Sequence, residues 1–218
     1  PRDPAGRDYL SPVTLRDERL RRYWDKQADG FDRQMTSFDK YFARDTRDWI
    51  CSRATGRILE VAVGTGLNLP HYPAGADLTG VEWSGAMLAQ ARRKAATLGL
   101  TADLHEGDAQ ALVYADETFD SVVCTFSLCA IPDDQRSVAE MVRVLRPGGL
   151  LLLADHVESS NWAVRAVQRL AEVVSVRTAG EYYRRRPIRH VEALGLSIVE
   201  HDRFRLGIVE RLAAKKPG

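Results

Sequence analysis

Cysteine is scarce in this chain, with three residues in 218. An odd number without metal-binding spacing excludes a disulfide framework, predicts no metal site, and favours reduced thiols in a cytoplasmic protein. Cys124 and Cys129 flank the end of a predicted strand. We interpret them as buried thiols rather than as ligands or nucleophiles, because free cysteine behaves as a small apolar residue.

Strong net charge and long apolar runs are also missing. The formal net charge is +1, so bulk charge gives no reason to expect nucleic acid or a membrane surface as a partner. The longest apolar run, Gly149 to Ala154, is too short to span a bilayer, and the polar N-terminus shows no signal-peptide pattern. Residues 1–12 hold three prolines and a glycine, which predicts flexibility.

An apolar run at residues 57–63 ends in Gly64 and Gly66, which is typical of a buried parallel strand that leads through a tight turn into a helix. A dinucleotide fingerprint requires glycine or alanine at the third position of this motif. Here that position is Leu69, and Pro70 follows it. The spacing therefore disfavours NAD or FAD and with them a nicotinamide-dependent oxidoreductase.

Acidic residues accompany this turn at regular intervals. Glu60 lies inside the first strand, and Glu82 ends a second apolar run at the offset where a carboxylate reaches ribose hydroxyls. Asp108 follows a third run. Strands are predicted at 57–63, 77–82, 101–106, 119–125 and 148–155, with helices in the gaps, and two last strands meet at a turn near Asp202. Alternating strands and helices predict a doubly wound α/β sheet.

Other elements are expected from local signals. Residues 14–54 are expected to be helical, with most of Phe38, Tyr41, Phe42 and Trp49 in the core. Ser84 is the expected N-cap of the helix through Met87, which stops at Gly99. We see no internal repeat.

Five motifs occur in a suitable order: 59–66 (LEVAVGTG), 81–88 (VEWSGAML), 107–109 (GDA), 119–125 (FDSVVCT) and 144–149 (VLRPGG). From about Tyr23 to the C-terminus, the chain resembles class I S-adenosylmethionine-dependent methyltransferases. This resemblance implies a mostly parallel, seven-stranded, Rossmann-like sheet with an antiparallel C-terminal hairpin. It divides the chain into a helical lid segment, 1–54, and a cofactor-binding domain, 55–218. Ala62 stands where the family often has glycine.

The resemblance assigns S-adenosyl-L-methionine as cofactor and S-adenosyl-L-homocysteine as product. The loop from Gly64 to Asn68 would hold the methionine part and Glu82 the ribose, while Asp108 would meet the adenine amino group. Trp83 and Met87 would pack on the adenine, and Tyr23 and Tyr41 would belong to the lid. The full predicted set is Tyr23, Tyr41, Glu60, Ala62, Gly64, Gly66, Asn68, Glu82, Trp83, Met87, Asp108, Ala109, Phe126 and Ser127.

Structural roles compete with several of these assignments. Glu82 is alternatively a solvated strand-end carboxylate, Asp108 a turn residue or helix cap, Met87 a core residue, and the lid an amphipathic packing helix. Among the histidines, His156 after the fifth strand and His71 beside the glycine turn are the candidate acid–base groups. The alternative for both is a structural histidine.

The resemblance implies that the methyl acceptor is a small molecule with a thiol, hydroxyl or amine. Motifs around Cys124, Arg143 and His156 resemble alkyl-thiol S-methyltransferases and also bacterial phospholipid and quinone methyltransferases, which are the alternative. A non-catalytic cofactor-binding module is the alternative of another class. The arginines at 184–186 fit either an anionic substrate or a solvated helix face. No nucleic-acid partner and no membrane anchor are expected, and the chain is expected to be a monomer or dimer.

Overall fold

Alternating strands and helices build one seven-stranded sheet in the computed structural model, which describes residues 15–218. The predicted flexible segment 1–12 lies outside the described residues. The strands are β1 (Arg57–Val61), β2 (Asp77–Glu82), β3 (Ala102–Glu106), β4 (Phe119–Thr125), β5 (Leu145–His156), β6 (Ser197–Phe204) and β7 (Val209–Lys215).

Six α-helices lie in the same part of the chain: α1 (Leu15–Phe38), α2 (Thr46–Cys51), α3 (Gly85–Leu98), α4 (Asp134–Val144), α5 (Trp162–Thr178) and α6 (Pro187–Ala193). A π-helical turn (Asp39–Ala43) joins α1 to α2, and a 3-10 turn (Leu69–His71) follows β1. Within residues 15–218, each helix is either too short or too polar to cross a bilayer.

The strand order β3-β2-β1-β4-β5-β7-β6 confirms the predicted fold. Strands β1 to β5 pair in parallel, and β7 lies antiparallel between β5 and β6. The order reverses between β1 and β4. In open α/β sheets, ligands bind outside the carboxyl ends of the strands at this reversal. The topology therefore places a crevice beside the glycine turn.

Both faces of the sheet are covered by apolar side chains. Leu59 and Val61 of β1 belong to the cluster that also contains residues of α4 and α6, and Ile58 belongs to the cluster on the other face with α2 and α3. Because a parallel strand is buried on both faces, it reads as a continuous apolar run. The cysteines at 51, 124 and 129 are free and buried, as predicted.

Capping geometry confirms the predicted limits of α3. The Ser84 hydroxyl accepts a hydrogen bond from the backbone N–H of Met87, and Gly99 ends the helix in the left-handed conformation with φ 66°. These residues satisfy backbone groups that helix ends leave without partners.

Helices fill fewer gaps than predicted. The chain between β1 and β2 forms only the 3-10 turn, and the chain between β3 and β4 is a loop. Pro70 and Pro73 lack the backbone N–H that a longer helix after β1 would need. Strand β1 therefore leads into the glycine turn without a helix behind it.

Two further predictions, about the turn of the closing hairpin and the segment after α1, are wrong. Asp202 lies inside β6 opposite Arg211, so the hairpin turns at residues 205–208 instead. Tyr41 and Phe42 are exposed by 58% and 45% because they lie in the π-helical turn at the surface rather than on a core-facing helix.

Ala62 adopts a left-handed backbone conformation, with φ 57°. Non-glycine residues are disfavoured there because Cβ crowds the backbone. This conformation explains physically why glycine suits the position.

We predict that Ala62→Gly raises the free energy of unfolding by about 0.5–1 kcal/mol, because glycine adopts positive φ without the steric penalty. Urea unfolding followed by circular dichroism measures the change. The matched control is Ala96→Gly on the exposed side of α3, which should lower stability by about 1 kcal/mol. Equal losses in both variants would contradict a strained conformation at residue 62.

Candidate cofactor site

A cleft opens at the carboxyl ends of β1, β2 and β4, beside the reversal of strand order. Its cavity volume is about 120 Å³. The predicted residues that line it are Glu60, Ala62, Gly64, Asn68, Glu82, Trp83, Met87, Asp108, Ala109, Phe126 and Ser127. Four more lining residues belong to segments predicted as a whole: Thr65 and Leu67 to the Gly64–Asn68 loop, and Trp24 and Phe31 to the lid segment. Sequence reasoning missed Met35, Arg47, Val63, Gln110, Thr125, Ala130, Ile131 and Pro132.

The two glycines of the turn have different roles. A Cβ on Gly64 would approach no atom closer than the Ala62 carbonyl oxygen at 4.0 Å, so this glycine keeps the cleft wall open. A Cβ on Gly66 would lie 2.6 Å from Leu69 Cδ1 and 3.1 Å from Ala91 Cα. Gly66 therefore lets the turn pack directly on Leu69 and α3, and it does not line the cleft.

The geometry of this turn supports the argument against a dinucleotide. Dinucleotide sites place the pyrophosphate at the N-terminus of the helix that follows the first strand. The chain after β1 offers only the 3-10 turn Leu69–His71.

Asn68 joins three elements beneath the cleft. Its side-chain amide donates to Glu60 Oε1 at 3.0 Å and to Thr125 Oγ1 at 2.9 Å. Its side-chain oxygen Oδ1 accepts from Arg47 Nη1 at 2.8 Å, and Arg47 Nε donates to Asp39 Oδ2 at 2.9 Å. This network connects β1, β4 and α2, and it fixes the floor of the site.

Glu60 is a buried carboxylate, with 3% of its surface exposed. Burial raises its pKa to about 7, while Tyr72, Arg47 and Asn68 act in the opposite direction. Its Oε2 atom and the Tyr72 hydroxyl are both buried without a partner of good geometry among residues 15–218. Tyr72 lowers the pKa of Glu60 as a hydrogen-bond donor, so the Tyr72 hydroxyl is the neighbour that this carboxylate meets.

Glu82 shapes the turn with both carboxylate oxygens. Oε2 accepts from the N–H of Gly64 at 2.9 Å, and Oε1 accepts from the N–H of Ser84 at 2.8 Å. Burial raises its pKa, and these backbone donors partly offset the effect. Each oxygen keeps lone-pair capacity for a ligand hydroxyl. Glu82 is therefore not the solvated strand-end carboxylate of the alternative interpretation.

Asp108 organises the turn after β3. Its Oδ1 accepts from the backbone N–H of Gln110 at 2.8 Å and from Gln110 Nε2 at 3.0 Å. Gln110 Oε1 in turn accepts from the N–H of Asp133 at 3.0 Å. The turn role that competed with cofactor binding is thus present, and the carboxylate lines the cleft as well.

Phe126 holds a rare conformation at the end of β4, with φ 52°. A bulky residue at positive φ persists only where its surroundings fix it. Its N–H donates to the Ala154 carbonyl at 2.7 Å, and its ring contacts Phe38 edge-to-face at 5.0 Å. The Arg47 guanidinium lies 5.6 Å from the ring centroid.

Helix α1 covers the cleft through Trp24, Phe31 and Met35, which lie on one helical face. Two aspartates fasten it. Asp32 accepts from the Thr65 hydroxyl at 2.5 Å and pairs with Lys94 at 2.8 Å. Asp25 accepts from the Ser84 hydroxyl at 2.6 Å. Tyr23 and Tyr41, predicted as the lid residues, do not line the cleft.

Neither candidate acid–base histidine lines the cleft. His71 Nδ1 lies 2.6 Å from Asp48 Oδ1 on the outside, and the His156 ring packs on Tyr183 with centroids 5.3 Å apart. Asp155 accepts from the backbone N–H groups of His156 and Cys129, and burial raises its pKa. Within the described range, lining side chains include no histidine or lysine.

One group of side chains has spacing suited to a metal ion. Ligand atoms of Cys129, Asp155 and His156 lie within 4.8 Å of one another. Asp155 already accepts hydrogen bonds from the backbone N–H groups of Cys129 and His156, so its carboxylate also fixes the backbone of this cluster.

The three arginines near the closing hairpin have structural partners. Arg184 pairs with Glu172 at 2.9 Å, Arg185 donates to the Pro132 carbonyl at 2.8 Å, and Arg186 pairs with Glu210 at 3.2 Å. The prediction of a solvated helix face is wrong because residues 181–186 are not helical. These charges hold a loop in place rather than meeting an anionic substrate.

Comparison with known proteins gives the family. Residues 59–153 match the family described as a methyltransferase domain. Phosphatidylethanolamine N-methyltransferase of Cereibacter sphaeroides is 42% identical over 116 residues, which are 52% of this chain and 57% of the relative. Demethylmenaquinone methyltransferase of Thermus thermophilus is 36% identical over 135 residues, 61% of each chain. Residues 59–153 therefore carry the sequence of a methyltransferase domain.

Solved structures extend the likeness of this methyltransferase domain at the level of the fold. An S-adenosylmethionine-dependent methyltransferase from Thermotoga maritima superposes with a TM-score of 0.69 at 18% identity, covering 89% of this chain and 99% of that one. The [4+2]-cyclase SpnF superposes with a TM-score of 0.63 at 20% identity, covering 79% of each chain. The chain spans about three fifths of the length of the two curated relatives described above.

We predict that replacing Glu60 by the neutral Gln changes how stability depends on pH. The pKa of Glu60 is about 7 in the fold against 4.5 for an unperturbed glutamate, so the unfolded chain releases this proton first as pH rises. The Glu60 contribution therefore lowers the free energy of unfolding between about pH 4.5 and 7, by roughly 3 kcal/mol in all. Urea unfolding across that pH range should show that the free energy of unfolding of Glu60→Gln rises relative to that of the unmodified chain as pH increases.

The control is Glu18→Gln on the exposed part of α1, where Glu18 pairs only with Arg22 at 3.6 Å. Its difference from the unmodified chain should stay within about 0.5 kcal/mol at every pH. A flat difference for Glu60→Gln would show that residue 60 does not carry the buried, proton-retaining carboxyl.

Proposed function

We propose that this chain transfers a methyl group from S-adenosylmethionine to a small-molecule acceptor. The observation that carries the proposal is the cleft at the strand-order reversal, where the residues of the family motifs converge. The cofactor supplies an electrophilic methyl group, and its thioether departs neutral. The protein then has to bind donor and acceptor in line, and such positioning supplies several kcal/mol of rate enhancement.

Charge in the cleft suits this cofactor. Three lining carboxylates, Glu60, Glu82 and Asp108, face one lining guanidinium, Arg47. A ligand with an ammonium group, a sulfonium and two ribose hydroxyls supplies the positive charge and donors that these acceptors require.

The roles of individual residues follow from their places. We assign the methionine part to the opening at Gly64, the ribose hydroxyls to Glu82, and the adenine to Asp108 and Ala109 with Trp83 and Met87 beside it. Helix α1 would exclude water from the bound cofactor through Trp24, Phe31 and Met35. Residues 1–54 would then serve as the lid segment of the predicted division.

The composition of the cleft restricts the acceptor. The described lining offers no histidine or lysine, and its one group with a pKa of about 7 is the buried carboxyl of Glu60. A thiol, with a pKa near 8.5, or a neutral amine can react without a strong base. The curated relatives favour a second candidate class, a phospholipid amine or a quinone-type acceptor.

We predict that Glu82→Gln weakens binding of S-adenosylhomocysteine by about tenfold or more, because charge-assisted hydrogen bonds to the ribose would be lost. The amide keeps an acceptor for one backbone N–H, so the fold should survive. Isothermal calorimetry gives the dissociation constant, with Glu18→Gln as the matched control. An unchanged constant in folded Glu82→Gln would remove Glu82 from the site.

We predict methyl transfer from isotopically labelled S-adenosylmethionine to at least one member of a panel of thiols, phenols, amines, phosphatidylethanolamine and quinols. Product masses identify the acceptor atom. Tight binding of S-adenosylhomocysteine without transfer to any acceptor would favour a non-catalytic module. One solved structure with a similar fold is a [4+2]-cyclase, so the fold alone does not identify the reaction and the transfer assay is needed. Absence of binding to the folded chain would overturn the proposal.

A further inference from the structure

Helix α5 exposes its apolar side to solvent. Trp162 and Leu170 are exposed by 75% and 73%, and Ala166 and the valines at 167, 173 and 174 are exposed as well. We name these six side chains the α5 face. Contiguous exposed apolar residues on a helix mark an interaction surface, because soluble chains rarely leave them uncovered.

The opposite side of α5 is polar and is fixed to the domain. Gln168 donates to the Val157 and Tyr183 carbonyls at 2.9 and 3.1 Å, and the Ser175 hydroxyl donates to the Glu181 carbonyl at 2.9 Å. Hydrogen bonds from this polar side therefore attach α5 to the domain. The usual arrangement of a surface helix, with its apolar side inward, is inverted.

The hairpin tip extends the same surface. The Leu206 carbonyl accepts from the hydroxyl groups of Ser159 and Ser160 and from the N–H of Ser160, at 2.6 to 3.0 Å. These bonds tie the tip to the segment that leads into α5. Leu206 itself is 61% exposed, and Arg205 and Leu206 both hold positive φ. The strained turn keeps an arginine and a leucine outward beside the start of the helix.

Charges around the α5 face have one sign. Arg169 and Arg177 are on the exposed side, and Arg205 lies at the hairpin tip. Glu172, the only acidic residue of α5, points inward, where it pairs with Arg184 and accepts from the N–H of Tyr183. Arginines beside exposed tryptophan, leucine and valine are the pattern of a helix that lies in the interface of an anionic bilayer.

We propose that the α5 face and the Leu206 tip dock on an anionic lipid surface. A second copy of the chain fits less well, because an isologous contact would place the arginines of two such faces together. Helix α5 follows β5 at the carboxyl edge of the sheet, where the cleft opens. Docking would therefore bring the cleft to the membrane surface. On the proposed function, this position gives access to an amphipathic acceptor drawn from lipid.

The test uses sedimentation of the full chain with vesicles, without cofactor. We expect binding to an equimolar mixture of phosphatidylcholine and phosphatidylglycerol that is about tenfold or more stronger than binding to phosphatidylcholine alone, and weaker at high salt. The double variant Val167→Gln with Leu170→Gln should lose about tenfold or more in partitioning. Because both positions are exposed, the variant should remain folded.

Leu98→Gln on the exposed end of α3 is the matched control and should bind vesicles like the unmodified chain. Calorimetry on the same samples should give the double variant and the unmodified chain the same dissociation constant for S-adenosylhomocysteine. This second measurement separates failure of docking from failure of the proposed function. Absence of vesicle binding by the unmodified chain, or equal binding by the double variant, would overturn the proposal. So would a dimer in sedimentation velocity that the double variant converts to a monomer.

Discussion

The site depends on one buried amide. Asn68 uses its two ends to hold an acid of β1, a hydroxyl of β4 and a guanidinium of α2. All three partners are more than nine-tenths buried. Without Asn68, each would lose a hydrogen bond that water cannot replace. The network therefore fixes the turn after β1 to the strand across the order reversal. The cleft lies at the ends of β1 and β4, whose separation the network fixes.

Carboxylates placed under this cleft oppose folding and favour binding. Burial raises the pKa of both Glu60 and Glu82, which means that the fold holds their charged forms at a cost. Backbone donors offset part of the cost at Glu82, and Tyr72, Arg47 and Asn68 offset part of it at Glu60. A positively charged ligand with hydroxyl donors would compensate both groups. Stability and ligand affinity are thus coupled through the same two side chains.

Helices α1 and α5 show opposite uses of amphipathic sequence. Helix α1 turns Trp24, Phe31 and Met35 toward the cleft and fastens itself with Asp25 and Asp32. Helix α5 instead turns glutamine and serine inward and leaves its apolar residues outside. Apolar periodicity predicts both helices, but it does not say which side meets the domain. Only the hydrogen-bond partners of the polar residues decide that.

Local patterns predicted the strands, the caps of α3 and eleven of the 23 described residues that line the cleft, because a motif at the end of a parallel strand has only one edge on which to lie. The sequence did not predict Arg47 or Met35, since they come from helices whose docking depends on distant contacts. It also placed His71 and His156 near the site by their positions after a turn and a strand. The structure turned one outward to Asp48 and packed the other on Tyr183.

Sequence motifs alone were enough to predict the sheet and the methyltransferase domain, because glycine, carboxylate and strand spacing are local and occur in a fixed order. Tertiary structure decided which groups share the cleft, which histidines leave it, and which side of α5 stays uncovered. The physical reason is that side-chain direction depends on packing and on hydrogen bonds between residues far apart in the chain. Spacing along the chain does not encode those contacts.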